Sequence, residues 1–203
     1  SQRGSFGDIA ASSFGGMVYY TSPDRSELLE QLQNQSIKAI CDADWKDLTI
    51  MRLPEIPDFN LLVGWTGQVA ITDSLIQATE KKRKVATDSA FYKEFLAKSY
   101  AIVQGLQSAW NKQDIPALQE GIRSNRALLN EFAQVMQLEI ETPALRTLCN
   151  LAEQNGACAK TSGAGGGDCG ICFTQNETQR QQIETQWAKA QIQVLPLSIA
   201  EAW

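Results

Sequence analysis

The stretch Lys160–Gly170 reads K-T-S-G-A-G-G-G-D-C-G and contains five glycines. The segments on either side of it, Ala157–Lys160 and Cys169–Thr174, have the short apolar pattern of buried β-strands. A flexible linker is the alternative interpretation, but a linker has no reason to join two core strands so tightly. The pattern therefore predicts a strand–loop–strand hairpin whose loop has a function.

The composition of this loop suits a charged ligand. Glycine adopts positive φ without steric cost, and its N–H groups can line a concave anion site. The loop also supplies one cation and two hydroxyls. It is not a Walker A loop, because Lys160 precedes the glycines instead of following them.

The order of predicted elements from residue 60 onward is strand, helices, strand, strand, helix, strand. A hairpin flanked by helices and two further strands indicates an α+β, ferredoxin-like sandwich with an enlarged helical segment after its first strand. The predicted strands are Asn60–Gly64, Ala157–Lys160, Cys169–Thr174 and Gln191–Leu195, and Thr66-Gly67 is a predicted turn. The predicted helices are Ile71–Lys82, a helix from Asp88 or Ser89 to Trp110, one along Ile115–Met136, one starting at Thr142-Pro143 and ending before Gly156, and Glu177–Lys189.

A second, smaller part precedes this sandwich. The two prolines of Pro54-Glu55-Ile56-Pro57 break both helix and sheet, so they predict a boundary between a domain of residues 1–56 and a domain of residues 57–203. The smaller part has predicted helices at Ile9–Ser13 and Ser26–Asn34, and predicted strands at Met17–Thr21, Ile37–Cys41 and Leu48–Leu53.

Charge and hydropathy exclude several classes of partner. The net charge of −5 gives no general attraction for nucleic acid or an anionic membrane. The basic run Lys81–Lys84 is better explained as a solvated helix end. No apolar run approaches the ~20 residues of a membrane span, and we see no signal peptide. Five cysteines, an odd number, favour reduced thiols and a cytoplasmic protein.

The chain has no histidine, which excludes Ser-His-Asp, Cys-His and His-ligated zinc chemistry. Cys169-Gly-Ile-Cys172 has no second Cys pair, and thiols three apart on a strand point to opposite faces. We therefore predict no protein metal site. Phosphoryl transfer suits the remaining side chains, because it depends on positioning and charge stabilisation.

Three segments together resemble the GHMP kinase superfamily. Lys160–Gly170 is similar to its third motif in the form found in phosphomevalonate kinases, and Gly7-Asp8-Ile9-Ala10-Ala11-Ser12 with Gly15-Gly16 is similar to the segment that carries its catalytic aspartate. Val63-Gly64-Trp65-Thr66-Gly67 also resembles the phosphomevalonate kinase branch. The resemblance implies ATP-dependent phosphorylation of phosphomevalonate, with ATP and Mg²⁺ as cofactors and no nucleic-acid or membrane partner.

One departure from the family pattern is the absence of its ATP loop, of the type P-x-x-x-G-L-G-S-S-A. The chain is therefore expected to be the remnant of a GHMP N-terminal domain followed by the whole C-terminal domain. We expect it to be inactive alone and to associate with itself through apolar surface in its N-terminal part. Mevalonate kinase, diphosphomevalonate decarboxylase and a non-catalytic binding module remain alternatives.

The resemblance implies a role for individual residues. Asp8 is the candidate catalytic carboxylate, acting with a cation such as Arg3 or Lys160; as an alternative it caps the helix that follows it. Trp65 is either a pocket residue or ordinary core. The other candidates for substrate binding are Ser12, Ser13, Ser22 and Thr66, and those for the phosphate-binding loop are Ser162, Gly163, Ala164, Gly165 and Gly166.

Overall fold

The computed structural model describes residues 5–67, 90–163 and 165–200. It contains two compact units: Ser1–Glu55 with Ile199–Trp203, and Ile56–Ser198. The change of unit between Glu55 and Ile56 falls inside the proline-containing segment. The helix predicted over Ile71–Lys82 and the caps predicted at Asp88 and Ser89 lie outside the described residues.

The first unit contains a two-stranded antiparallel sheet and three helices. Strands β1 (Met17–Thr21) and β2 (Thr49–Leu53) pair with Met17 opposite Leu53. Residues near the C-terminus also belong to this unit, and the N–H of Gly16 donates to the carbonyl of Ala200 at 2.9 Å. The helices are α1 (Gly7–Phe14), α2 (Arg25–Asn34) and α3 (Ile37–Cys41).

Helix α3 corrects a prediction, because Ile37–Cys41 is not a strand. The Ser36 hydroxyl accepts from the N–H of Ala39 at 3.2 Å, which caps the helix. Lys38 and Asp42 form an ion pair four residues apart, a spacing that only a helix brings together. The capping bond is a local signal for a helix, whereas the ion pair is exposed and contributes little to stability.

The second unit contains a four-stranded antiparallel sheet. Its spatial order, β4-β5-β3-β6, is that of a ferredoxin-like fold, so the predicted architecture is confirmed. The last strand is two residues shorter at its start than predicted. The strands are β3 (Asn60–Trp65), β4 (Cys158–Thr161), β5 (Cys169–Thr174) and β6 (Gln193–Leu195).

Four described helices complete this unit, and they lie where the sequence predicts them. Asp114, Thr142 and Asn176 cap three of them by accepting backbone N–H bonds. No helix in the described ranges is long and apolar enough to cross a membrane. The helices are α4 (Ala90–Asn111), α5 (Ile115–Met136), α6 (Pro143–Gln154) and α7 (Glu177–Lys189).

The core of the second unit lies between the sheet and the helices α6 and α7. Leu148 and Trp187 are fully buried there, and the Trp187 indole donates to the Leu148 carbonyl at 3.0 Å. Gly64 and Gly170 are paired across β3 and β5, and Leu148 packs onto both. Small residues in the sheet therefore let α6 approach it closely.

Candidate functional site

Asp8 is exposed and lies in the first turn of α1. The N-cap position is held by Phe6, at φ 63°, whose side chain makes no capping hydrogen bond, and the N–H of Gly7 donates to the Ser5 hydroxyl at 3.4 Å. The alternative in which Asp8 serves as the N-cap is therefore wrong. An acidic side chain in the first turn still interacts favourably with the helix dipole, and its carboxylate faces solvent.

The three serines predicted for substrate binding also lie in the first unit. The Ser12 hydroxyl donates to the Asp8 carbonyl at 2.8 Å, so it is satisfied within α1. Ser13 is exposed beside an apolar groove, and Ser22 is exposed after β1. Arg3 lies outside the described residues.

Arg25 is a cation that the sequence reasoning did not consider. Its guanidinium carbon lies 5.0 Å from the centre of the Phe6 ring, which places a positive charge near the start of α1. No sequence pattern singles out Arg25, because the contact depends on the start of α2 folding back onto α1.

An apolar groove of about 340 Å³ is the main cavity described in the first unit. Ile9 and Phe14 are exposed side chains on its wall. The remaining lining residues are Phe6, Ala10, Ser13, Tyr20, Pro23, Trp45, Leu48 and Ile50.

The glycine loop of the second unit is closed by backbone hydrogen bonds. The N–H of Ser162, just after β4, donates to the carbonyl of Cys169, the first residue of β5, at 3.0 Å. The N–H and the hydroxyl of Thr66 both donate to the Asp168 carbonyl at 2.9 Å. The structure thus brings the predicted Thr66 to the predicted loop, from a position about a hundred residues earlier in the chain.

The middle of the loop is anchored to the connector between α5 and α6. Gly165 has φ 76°, and a Cβ there would lie 2.4 Å from the Ile140 carbonyl oxygen. The N–H of Gly166 donates to the same oxygen at 2.8 Å. Because the Gly166 N–H already donates to Ile140, a phosphate bound by the loop would have to accept hydrogen bonds from other groups.

Two described residues of the loop are exposed, Gly163 near its beginning and Asp168 at its end. Gly163 is exposed at φ 60°, and a Cβ there would meet no heavy atom of the described residues within 4 Å. The hydroxyl of the half-buried Ser162 is next to it. Ala164 lies outside the described residues. Ser162 and Gly163 are therefore the described loop residues best placed to meet a ligand.

Two loop residues have structural roles. Asp168 lies at φ 64° and shapes the turn into β5. Gly170 is part of β5, and a Cβ there would lie 2.6 Å from Leu148. Its lack of a side chain thus serves core packing, which corrects the interpretation that all five glycines bring the backbone close to a ligand.

Lys160 is half-buried, although a lysine at the end of a strand is more often exposed. Its ammonium donates to the Thr161 carbonyl at 2.8 Å, directly before Ser162. Burial lowers the pKa of this ammonium, and the neighbouring Cys149 opposes that shift. The cation thus lies at the base of the loop.

Trp65 and the two cysteines of the C-x-x-C segment lie on paired strands. Trp65 is half-buried opposite Cys169, so both of its predicted roles stay open. Cys169 and Cys172 both lie on β5 and, being three residues apart, point to opposite faces. Burial raises the pKa of both thiols. In the described ranges no three acidic or cysteine side chains converge as a metal site.

Comparison with known proteins gives matches over nearly the whole chain. Residues 103–193 match the family described as GHMP kinases C terminal. The chain is 36% identical to the phosphomevalonate kinase of Streptomyces sp. (strain CL190) over 200 residues, which are 98% of this chain and 53% of that protein. The chain therefore spans about half the length of this relative.

Solved structures agree with this match. A Listeria innocua protein, Lin0012, is 32% identical, with a TM-score of 0.92 over 98% of this chain and 56% of its own. Streptococcus pneumoniae phosphomevalonate kinase, in complex with phosphomevalonate and AMPPNP, is 28% identical, with a TM-score of 0.80 over 95% of this chain and 54% of its own. The chain is thus similar over almost its whole length to phosphomevalonate kinases, and its residues 103–193 match the family of GHMP kinase C-terminal domains.

Proposed function

We propose that this chain belongs to an ATP-dependent kinase that converts phosphomevalonate to diphosphomevalonate, a step in the synthesis of isoprenoid precursors. The observation that carries the proposal is the match, over 95% of this chain, to a phosphomevalonate kinase crystallised with phosphomevalonate and AMPPNP. The glycine loop supports the proposal, because hydrogen bonds with Thr66 and Ile140 fix its backbone in a position where it could bind a phosphate.

The chemistry of the acceptor defines the role proposed for Asp8. A phosphate monoester has a second pKa of about 6, so the attacking oxygen is largely ionised near neutrality. This oxygen forms a bond to the γ-phosphorus of ATP, and the bond to the ADP oxygen breaks. A strong general base is barely needed, and a bare carboxylate repels the acceptor. Asp8 therefore orients charge together with a cation.

The glycine loop is proposed to hold a phosphate through the Ser162 hydroxyl and the backbone at Gly163. Preorganised donors stabilise transferring phosphate without reorganisation. Lys160 adds positive charge from the base of the loop. Trp65 and Thr66 are proposed to shape the acceptor pocket, since Thr66 is bonded directly to the loop.

Mg²⁺ is proposed as the ion that accompanies ATP, where it neutralises the β- and γ-phosphate oxygens. Among the described residues, no three acidic or cysteine side chains converge as a set of protein ligands for this ion. We propose the cytoplasm as the compartment, because all five cysteines are unpaired.

Two further proposals concern residues 1–203 in isolation. Residues 1–203 alone are proposed to show negligible kinase activity, because they span about half the length of the relatives. The same residues are proposed to self-associate through the apolar groove beside Ile9 and Phe14.

The experiment that tests the function measures ADP release by the protein expressed from its native gene. Its intact mass and N-terminal sequence are read first, and phosphomevalonate and mevalonate are offered separately with ATP and Mg²⁺. We expect turnover of phosphomevalonate only. Turnover of mevalonate alone would transfer the assignment to mevalonate kinase, and turnover of neither would favour a non-catalytic module.

A matched pair of variants connects the activity to the loop. Ser162→Ala removes the hydroxyl of this half-buried residue and is expected to raise the KM for phosphomevalonate. Ser198→Ala, a serine elsewhere in the same unit, is the control. An unchanged KM in Ser162→Ala would remove Ser162 from the proposed site.

A further inference from the structure

A buried ion pair joins α5 to the connector that precedes α6. Arg126 donates to both carboxylate oxygens of Glu141, from Nε at 2.7 Å and from Nη2 at 2.9 Å. Asn130 donates a third hydrogen bond at 3.1 Å, and the Glu141 side chain is only 3% exposed. Such a two-pronged pair fixes direction as well as distance.

The connector held by this pair is short and anchored at several points. It runs from the end of α5 at Met136 to Thr142, whose hydroxyl caps α6. Between these residues, the Ile140 side chain is buried against Phe132 and Ala133 of α5. An open cleft of about 580 Å³ borders the connector, so packing alone does not enclose it.

The same connector carries the contact with the glycine loop. The Ile140 carbonyl accepts from Gly166 and leaves no room for a side chain on Gly165. Glu141 is the next residue in the chain, so the orientation of its backbone sets the direction of the Ile140 carbonyl. A displacement of Glu141 would move the acceptor that anchors the loop.

We propose that Arg126 and Glu141 are positioning residues for the glycine loop: their ion pair orients the Ile140 carbonyl, which holds Gly166 and thereby places Ser162 and Gly163. The role in phosphate binding rests on the proposed function, whereas the anchoring of the loop does not.

A general stabilising role is the competing explanation, and the chain contains a matched control for it. Arg123 lies one turn earlier on α5, and its Nε donates to Glu153 of α6 at 2.7 Å. This second pair joins α5 directly to α6 and lies away from the connector. Glu153→Gln should therefore affect stability without affecting the loop.

The test measures amide hydrogen exchange, residue by residue, in the protein expressed from its native gene. In Glu141→Gln we expect the Gly166 amide to exchange at least about tenfold faster relative to the core amides of β5, which corresponds to about 1.4 kcal/mol of lost local protection. Glu153→Gln should leave this ratio unchanged. Arg126→Lys keeps the positive charge but cannot donate to both carboxylate oxygens, so its ratio of Gly166 to β5 exchange should be intermediate. If Glu141→Gln does not fold, Arg126→Lys provides the test.

The proposal is overturned if the exchange rate of the Gly166 amide does not change, or changes by the same factor as the exchange rates of the β5 amides. The KM for phosphomevalonate is measured on the same variants and is expected to rise about tenfold with a smaller change in kcat. Selective exchange with an unchanged KM would uphold the positioning role and would count against the loop as the phosphate site.

Discussion

Gly64 and Gly170 lie directly opposite each other on β3 and β5, and the Leu148 side chain occupies the space that both leave free. A Cβ on Gly170 would lie 2.6 Å from one Leu148 methyl, and a Cβ on Gly64 would lie 2.8 Å from the other. Because these two positions have no side chains, α6 packs closely against the sheet at the end that carries the glycine loop.

Gly170→Ala is expected to lower the free energy of unfolding by about 1–3 kcal/mol, because Leu148 is fully buried and has little room to move. Chemical denaturation measures the change. Gly105→Ala is the control: its Cβ would meet no described heavy atom within 4 Å, and we expect it to stabilise α4 by up to about 1 kcal/mol. Equal stability of Gly170→Ala and wild type would contradict this packing.

Gly165→Ala and Gly163→Ala should separate anchoring from binding. Both residues have positive φ, but only Gly165 is crowded, by the Ile140 carbonyl oxygen. Gly165→Ala should therefore destabilise the protein by several kcal/mol, whereas Gly163→Ala should cost about 1–2 kcal/mol of backbone strain. Gly163→Ala should raise the KM for phosphomevalonate well beyond what its stability change explains. The reverse order of stabilities would contradict the assignment of the two glycines.

Asp8→Asn removes a charge that orients the reacting groups and is expected to lower kcat roughly a hundredfold in the protein expressed from its native gene. The loss should be nearly independent of pH between 7 and 9, because the acceptor phosphate is already ionised there. Steady-state kinetics across this range measure it, and Asp44→Asn, another exposed aspartate of the same unit, is the control. A loss that disappears at high pH would instead assign Asp8 as a general base.

The buried thiol of Cys158 should make stability depend on pH. Burial raises the pKa of this thiol to about 12 from 9.0, so the folded state retains a proton that the unfolded state releases. Its contribution to stability is complete below pH 9 and is lost as the pH rises towards 12. Between pH 8 and pH 10 the loss is about 1.4 kcal/mol.

Denaturation of wild type and Cys158→Ala at these two pH values isolates that contribution. The variant should be less stable at pH 8, because it leaves a cavity, yet it should lose about 1.4 kcal/mol less on going to pH 10. Cys41→Ala, which removes an exposed thiol, is the control. Parallel pH curves for wild type and Cys158→Ala would show that the thiol ionises equally in both states.

Residues 1–203 should sediment as a dimer or larger species if the apolar groove of the first unit meets a second copy. Ile9→Lys places a charge on the groove wall and should yield a monomer. Ile37→Lys changes an apolar side chain that is still more exposed but does not line the groove, and it should leave the association unchanged. Sedimentation velocity distinguishes these outcomes, and a monomeric wild type at every concentration would contradict the proposal.

The ferredoxin-like unit was predictable because its signals are local and agree with one another. Thr142 and Pro143 mark the start of α6, Gly156 follows its end, and the hairpin strands of β4 and β5 are short apolar runs beside a glycine loop. All of these signals predict the same order of helices and strands, and few sheet topologies are compatible with that order.

The strand predicted at Ile37–Cys41 failed for a physical reason. A run of five residues is too short for its periodicity to distinguish helix from strand. The cap by the Ser36 hydroxyl favours the helix, and the exposed ion pair of Lys38 with Asp42 adds little to it.

The division of labour among the loop glycines was not predictable from the sequence. Each glycine permits a close approach, but the sequence does not say to what. For Gly165 the neighbour is the Ile140 carbonyl, for Gly170 it is Leu148, and for Gly163 it is open space. These neighbours come from helix packing and are distant in the sequence.

The bonds from Thr66 to the Asp168 carbonyl join residues separated by 102 positions. Closing a contact of such long range has a greater entropic cost than closing a local one, and this contact directly follows the pairing of Trp65 with Cys169. The candidate site therefore exists only in molecules that have completed the β3–β5 pairing. Trp65, the last paired residue before Thr66, is one of five tryptophans. In a variant that keeps it as the single tryptophan, its fluorescence should mature at the rate at which phosphate-binding competence appears during refolding.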